Sequence, residues 1–167
     1  MTVLVLMGVS GCGKSSLAAE LVRRLGWPFQ EGDDLHPAAN IAKMRAGIPL
    51  DDGDRLPWLD AVAAWIDARR AAGENGIVTC SNLKRAYRDL TLGRRRGVRL
   101  VYLKGDRELI AARLAGRRGH YMPAALLDSQ FAALEEPGPD EDAIVLPVAA
   151  PVAELAAALI ARLTRCG

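Results

Sequence analysis

Residues 8–15 of the chain are GVSGCGKS, directly after the apolar run Val3–Met7 and directly before a stretch with helical spacing. They complete the pattern G-x-x-x-x-G-K-S through Gly8, Gly13, Lys14 and Ser15. Glycines let backbone N–H groups turn inward around a phosphate, the lysine bridges two phosphates, and the serine hydroxyl can bind Mg²⁺. Because the pattern follows a strand and opens a helix, as the mechanism requires, it predicts a nucleotide-binding phosphate loop.

The composition fits one soluble domain, which we place at residues 1–167. Half of the residues are hydrophobic and a quarter are charged, and the net charge of +2 gives no reason to expect nucleic-acid binding. The three cysteines are far apart and lack a metal-ligand or disulfide spacing. The N-terminal apolar run is too short for a signal peptide and no stretch has the length of a membrane span, so we expect a cytoplasmic protein.

Short apolar runs alternate with segments of helical spacing along the whole chain. This alternation predicts an α/β fold with three layers, in which helices flank a five-stranded parallel sheet. The strands are expected at residues 3–7, 29–31, 76–81, 98–103 and 143–148, and helices at 14–25, 36–45, 58–72, 83–92, 107–114, 123–135 and 152–163. Residues 50–55, LDDGDR, are expected to form a polar loop, and residues from about 115 to 125 a short lid.

Features that the chain lacks narrow the class of phosphate-loop protein. A guanine-reading N-K-x-D is missing, and the third strand ends in Cys80-Ser81 instead of an acidic residue. Small phosphoryl-transfer kinases fit both absences, and they pair the loop with an acid after the second strand and with lid arginines. Glu31–Asp34 supplies such acids, although Asp34 could equally cap a helix. Arg113, Arg117 and Arg118 supply the arginines, whereas the Arg94–Arg96 run indicates an exposed loop.

Several longer motifs then resemble one family, the gluconate kinases. These motifs are GDDLHPAANIAKM, PLDDGDRLPWL, CSNLKRAYRDL, YLKGD and RRGHYMPAALLDSQFAALEEP, and with the phosphate loop they run in order from residue 3 to about residue 148. The resemblance implies a P-loop kinase that uses ATP and Mg²⁺ to phosphorylate the 6-hydroxyl of D-gluconate. Dimers are common in that family, so the resemblance also raises the expectation of a homodimer.

The resemblance and the loop chemistry together assign roles by position. Catalytic roles are expected for Lys14, Asp33 and Arg117, and the metal is expected at Ser15. The expected nucleotide-binding residues are Gly8, Ser10, Gly11, Cys12, Gly13, Lys14, Ser15, Ser16, Arg113 and Arg117, with the adenine beside the loop after Val148. The expected substrate-binding residues are Asp33, His36, Asn40, Arg55, Ser81, Lys84 and Arg88.

Other interpretations stay open from the sequence alone. The acceptor could be another sugar acid, shikimate or a nucleoside monophosphate, and the chain could instead be a nucleotide-sensing module without turnover. Asn82 and Ala86 differ from the family pattern, and Asn82 could hydrogen-bond the substrate. Trp58 and Trp65 lie seven residues apart on one helix face, which indicates packing. Cys12 is either a small loop residue or, near a helix N-terminus and Lys14, a reactive thiolate.

Overall fold

Five parallel strands form the sheet in the computed structural model, which describes residues 1–116 and 124–164. The strands are β1 (Val3–Met7), β2 (Phe29–Gln30), β3 (Gly76–Thr79), β4 (Val98–Lys104) and β5 (Ile144–Pro147). Their order across the sheet is β2-β3-β1-β4-β5. Since β1 lies in the centre with all five of its residues buried, the phosphate loop that follows it emerges at the middle of the sheet's carboxyl edge.

Helices cover both faces of the sheet, which confirms the predicted α/β class and its three layers. They are α1 (Lys14–Leu25), α2 (Ala38–Arg45), α3 (Asp52–Ala71), α4 (Arg85–Thr91), α5 (Arg107–Ala115), α6 (Ala124–Ala133) and α7 (Val152–Thr164). Two short 3-10 turns cover Gly32–Leu35 and Pro139–Glu141.

The alternation of side chains along β1 divides the core into two clusters. Leu4 and Leu6 join residues of α1, α5 and α7 on one face. Val3, Val5 and Met7 join Trp58 and other α3 residues on the opposite face. Trp58 is 1% exposed, so its expected role in packing is confirmed.

The expected polar loop at residues 50–55 is wrong, because α3 begins at Asp52. The Asp51 side chain accepts a hydrogen bond from the Asp54 backbone N–H (2.7 Å), and Asp54 Oδ2 accepts one from the Asp51 N–H (3.1 Å). This reciprocal capping box stabilises a helix start made almost entirely of polar residues. Most of the predicted lid lies outside the described residues.

Gly32 marks the closest backbone approach near the sheet edge. A Cβ built on Gly32 would lie 1.8 Å from the Thr79 carbonyl oxygen. The turn after β2 can therefore pass this close to the end of β3 only if the residue there has no side chain.

We therefore expect Gly32→Ala to lower the free energy of unfolding by about 2–3 kcal/mol, as overpacked sites do. Gly116→Ala is the matched control, because φ at Gly116 is −78° and a Cβ there would meet no atom of residues 1–116 or 124–164 closer than 3.7 Å. Urea denaturation of both variants measures the difference. Equal stability of the two variants would contradict the close-approach argument.

Candidate active site

The phosphate loop has the backbone shape that a phosphate requires. Gly8, Gly11 and Gly13 have φ of 145°, 81° and 100°, which is the region that favours glycine. Lys14 Nζ donates hydrogen bonds to the carbonyls of Gly8 (2.9 Å) and Val9 (3.2 Å), so its ammonium lies over the loop. The loop, the lysine and the N-terminus of α1 together form a cradle for the phosphates of a nucleotide.

A pocket of about 430 Å³ opens beside this cradle. Its walls come from the phosphate loop, from Arg113 and from the chain after β5: Gly11, Cys12, Gly13, Ser16, Arg113, Val148, Ala149, Ala150, Pro151, Val152 and Leu155. The Arg113 guanidinium donates a hydrogen bond to the Val148 carbonyl, which places α5 against the post-β5 loop. The pocket lies where the sequence predicts the adenine, next to the loop after Val148.

Three side chains connect the phosphate loop to strands β2 and β3. Ser15 Oγ donates a hydrogen bond to Glu31 Oε2 (2.7 Å), and the Thr79 hydroxyl donates one to Glu31 Oε1. Thr79 Oγ1 in turn accepts the Gly32 backbone N–H (2.9 Å). A carboxylate and a serine hydroxyl in contact are oxygen donors of the kind that Mg²⁺ prefers, directly or through water.

Four of the predicted substrate residues gather next to this network. Asp33 is exposed on the 3-10 turn that follows Glu31. His36 lies beyond it, and the side-chain nitrogen of Asn40 lies 3.2 Å from its Nδ1. Asn40 also donates a hydrogen bond to the Asp54 carbonyl (2.8 Å), next to the predicted cation Arg55. The structure therefore brings together Asp33, His36, Asn40 and Arg55.

Burial and nearby charge keep His36 neutral next to the cation Arg55. Burial lowers the pKa of His36, and the positive charge of Arg55 lowers it further, while Asp33 opposes both effects. The imidazole stacks on the buried Trp58 ring, with centroids 4.3 Å apart and planes at 15°. His36 can therefore donate and accept a hydrogen bond at neutral pH without adding charge.

Lys84 and Ser81 lie near this cluster but have other contacts. Lys84 Nζ donates to Asp52 Oδ1 (2.9 Å), and the Tyr87 hydroxyl donates to the same carboxylate. These two hydrogen bonds lower the pKa of Asp52, so Asp52 stays ionised and pairs with the Lys84 charge. The backbone carbonyl of Ser81 accepts the Gly8 N–H (3.3 Å), which places Ser81 beside the phosphate loop.

Arg88 and Asn82 lie away from the cluster, inside the protein. Arg88 is 2% exposed and pairs through Nε and Nη2 with Glu141 (2.5 and 2.9 Å). Its Nη1 donates to the carbonyls of Asn82, Leu83 and Glu135. Asn82 is fully buried and accepts from Thr91. Arg88 thus joins α4 to the post-α6 chain, and both side chains are buried.

Cys12 is 1% exposed and lies under the loop, against Gly8. Burial raises the pKa of its thiol, and this effect exceeds the opposing influence of Lys14. The low exposure of Cys12 and its raised thiol pKa argue against the reactive-thiolate hypothesis and favour a small packing residue. Arg117, the remaining predicted site residue, lies outside the described residues.

Sequence reasoning gave no role to several residues of this site. Thr79, Asp52 and Tyr87 hold the predicted residues in place through hydrogen bonds. Gln130 of α6 binds Ser10 of the phosphate loop from 120 residues away. No local pattern identifies contacts of such sequence separation, although Gln130 does lie within one of the family motifs.

Arg88→Met is expected to lower the free energy of unfolding by about 3 kcal/mol, since it leaves Glu141 buried without its cation. Arg94→Met is the control, because Arg94 is exposed. Urea denaturation gives the stability, and the KM of the acceptor should stay unchanged where the variant is folded. A raised acceptor KM at wild-type stability would instead place Arg88 in the binding site.

In a Cys166→Ser background, we expect Cys12 and Cys80 to react slowly with Ellman's reagent at pH 8 until guanidinium unfolds the protein. Burial raises both thiol pKa values, that of Cys80 to about 12. Ser129→Cys in the same background gives a fast-reacting exposed control on α6. Fast labelling in the folded protein that Cys12→Ser abolishes would restore the thiolate hypothesis.

Comparison with known proteins identifies relatives of this chain. The family model described as an AAA domain matches residues 3–137. A gluconokinase from Gluconobacter oxydans is 50% identical over 141 residues, covering 84% of this chain and 79% of that protein.

Two solved structures also match nearly the whole chain. A sugar kinase from Janibacter sp. HTCC2649 has a TM-score of 0.90 and 44% identity, with 98% of this chain and 95% of that one covered. A gluconokinase from Sinorhizobium meliloti 1021 has a TM-score of 0.85 and 44% identity, with 99% and 93% covered. Within residues 1–116 and 124–164, no helix combines the length and apolarity that a bilayer crossing needs. On these similarities and on its own phosphate loop and motifs, the chain belongs to the gluconokinase family.

Proposed function

We propose that this protein transfers the γ-phosphoryl group of ATP to the 6-hydroxyl of D-gluconate in the cytoplasm, giving 6-phospho-D-gluconate and ADP. One observation carries the proposal. The phosphate loop and the cluster of Asp33, His36 and Arg55 meet at one edge of the sheet, where Ser15 and Glu31 are in contact. A phosphoryl donor and a polyhydroxy acid can therefore bind side by side.

The nucleotide end is assigned to the phosphate loop and the pocket beside it. The positive φ angles of its glycines and the lysine above the loop fit the phosphates. The backbone of Gly11–Ser16 would hold the phosphates, and the side chain of Ser10 lies at the start of this curve. Arg113 borders the pocket from α5 and adds a positive charge there. We assign Arg117 to the same nucleotide side, on the family motif alone.

Mg²⁺ is assigned to Ser15, with Glu31 as the partner that orients it. The Ser15 hydroxyl contacts a carboxylate that Thr79 also holds, so its lone pairs have a fixed direction. When bound, Mg²⁺ neutralises charge on the phosphates during the transfer. The protein's contribution is to keep the hydroxyl and the carboxylate at one place near Lys14.

The acceptor end uses Asp33 and Arg55 for opposite ends of gluconate. Among the described residues Arg55 has one side-chain hydrogen bond, a long one of 3.4 Å to the Leu50 carbonyl, so its guanidinium can pair with the sugar carboxylate. Asp33 is exposed and can accept a hydrogen bond from the terminal hydroxyl. His36 and Asn40 offer neutral donors and acceptors to the hydroxyls between, and Ser81 and Lys84 border the cleft.

During transfer, a bond forms between the 6-oxygen and the γ-phosphorus while the bond to the β,γ-bridging oxygen breaks. Asp33 orients the attacking hydroxyl and accepts its proton, and Lys14 stabilises the charge that develops on the phosphates. Phosphoryl transfer is loose, so positioning and charge neutralisation supply most of the rate enhancement.

The charges of the cluster favour a monoanionic acceptor over a nucleoside monophosphate. Lys84 is already paired with Asp52, and the lowered pKa of His36 keeps this ring neutral. Within residues 1–116 and 124–164, Arg55 is then the one cation left in the cluster formed with Asp33, His36 and Asn40. A single carboxylate matches a single guanidinium, whereas a phosphate dianion would need further positive charge.

An acceptor panel tests this function. Purified protein is given MgATP with gluconate, a second sugar acid, shikimate or a nucleoside monophosphate, and ADP release is measured. We expect turnover with gluconate to exceed that with every other acceptor. Higher turnover with another acceptor would replace gluconate, and ATP binding without turnover on any acceptor would favour a nucleotide sensor.

Asp33→Asn should lower kcat with gluconate by about a hundredfold or more, because the amide cannot accept the proton. The KM for ATP should stay unchanged, since the phosphate loop is intact. Asp34→Asn is the matched control, as Asp34 is also exposed on the same 3-10 turn. Equal activity of the two variants would remove Asp33 from the mechanism.

A further inference from the structure

Gln130 of α6 makes two hydrogen bonds to a single residue of the phosphate loop. Its Oε1 accepts the Ser10 backbone N–H at 2.7 Å, and its Nε2 donates to Ser10 Oγ at 3.1 Å. One carboxamide thus satisfies both the main-chain donor and the side-chain oxygen of Ser10. This contact spans 120 residues of sequence, and Gln130 is half-buried.

The contact restrains the loop where its curve begins. Ser10 immediately precedes Gly11, which has a φ of 81°, and the Cys12 N–H that follows donates to the Val9 carbonyl (3.3 Å). A backbone N–H that is already bonded cannot rotate away without losing that bond, so the carboxamide opposes flattening of the loop. The loop backbone from Gly11 onward is thereby held in place before a nucleotide arrives.

Gly11, the next residue of the loop, is restrained by helix α5. A Cβ at Gly11 would lie 2.7 Å from the Leu114 side chain of α5, so Leu114 packs directly on the loop backbone. Helix α5 also packs against α6. Leu114 and Gln130 therefore hold adjacent loop residues, one by apolar contact and the other by hydrogen bonds.

We propose that Gln130 is a positioning residue for the phosphate loop, and that its hydrogen bonds to Ser10 raise the affinity for the triphosphate. Preorganisation of this kind increases affinity because the loop loses less conformational freedom on binding. Glutamine suits the position because Ser10 presents both an N–H donor and a hydroxyl oxygen, and a carboxamide supplies an acceptor and a donor. The inference rests on the proposed function only in taking ATP as the ligand of this loop.

The test compares Gln130→Met, which keeps the length of the side chain but removes both hydrogen bonds, with Ser10→Ala, which removes the hydroxyl contact alone. Ser129→Ala is the control on the same helix, because among the described residues the Ser129 hydroxyl bonds only to Leu126 of its own helix. Isothermal calorimetry with Mg²⁺ and a non-hydrolysable ATP analogue gives Kd without requiring an acceptor. Steady-state kinetics and thermal unfolding accompany it.

We expect Gln130→Met to raise the Kd of the analogue and the KM of ATP about tenfold, from two lost neutral hydrogen bonds, and Ser10→Ala about threefold. Because both changes remove the same hydroxyl contact, the double variant should lose less than the product of the single effects. The KM of gluconate and the Tm should match those of Ser129→Ala.

Two results would overturn the proposal. One is a Kd for Gln130→Met equal to that of Ser129→Ala. The other is a loss that follows a lowered Tm and raises the KM of both substrates alike, which would make the role merely structural. If the wild-type protein itself binds no analogue, nucleotide binding fails and the proposed function falls with the inference. If it binds the analogue but turns over no acceptor, only the kinase assignment fails.

Discussion

The carboxylate of Glu31 is the contact on which the arrangement of the site depends. It accepts hydrogen bonds from Ser15 at the start of α1 and from Thr79 at the end of β3. The next peptide is held as well, because the Gly32 N–H bonds to Thr79 and the Gly32 carbonyl accepts the buried Trp58 indole N–H at 2.7 Å. Asp33 follows directly, so its position relative to the phosphate loop is fixed from three elements.

The cations that the sequence assigns to the substrate differ in their contacts. The sequence predicts that Lys84 and Arg88 bind the substrate. In the structure, Lys84 pairs with Asp52 and Arg88 is buried against Glu141. Arg55 lies on α3, and its charge acts on His36, on Asp52 and on Tyr87. Since Lys84 and Arg88 are paired, Arg55 is the residue that we propose for the acceptor carboxylate.

The fold could be predicted almost entirely from periodicity, because five apolar runs and their helices have ordinary patterns. The start of α3 could not be predicted in this way. The stretch LDDGDR has the composition of a loop, and the Asp51–Asp54 capping box makes it the start of a helix. Within the site, motif order placed Lys14, Ser15 and Asp33 at one edge of the sheet. Motif order did not show that Arg88 is paired, because the partner of Arg88 is Glu141, 53 residues further along the chain.

The two faces of the phosphate loop explain why a cysteine fits within it. Val9 and Cys12 belong to the core cluster beneath the loop, and Gly8, Gly11 and Gly13 supply the positive φ angles of its turns. A thiol packs as a small apolar group and needs no strong hydrogen-bond partner, unlike a hydroxyl buried at the same place. The loop thus combines an apolar underside that anchors it to the core with a polar upper surface for phosphates. Anchoring of this kind keeps Cys12 away from solvent.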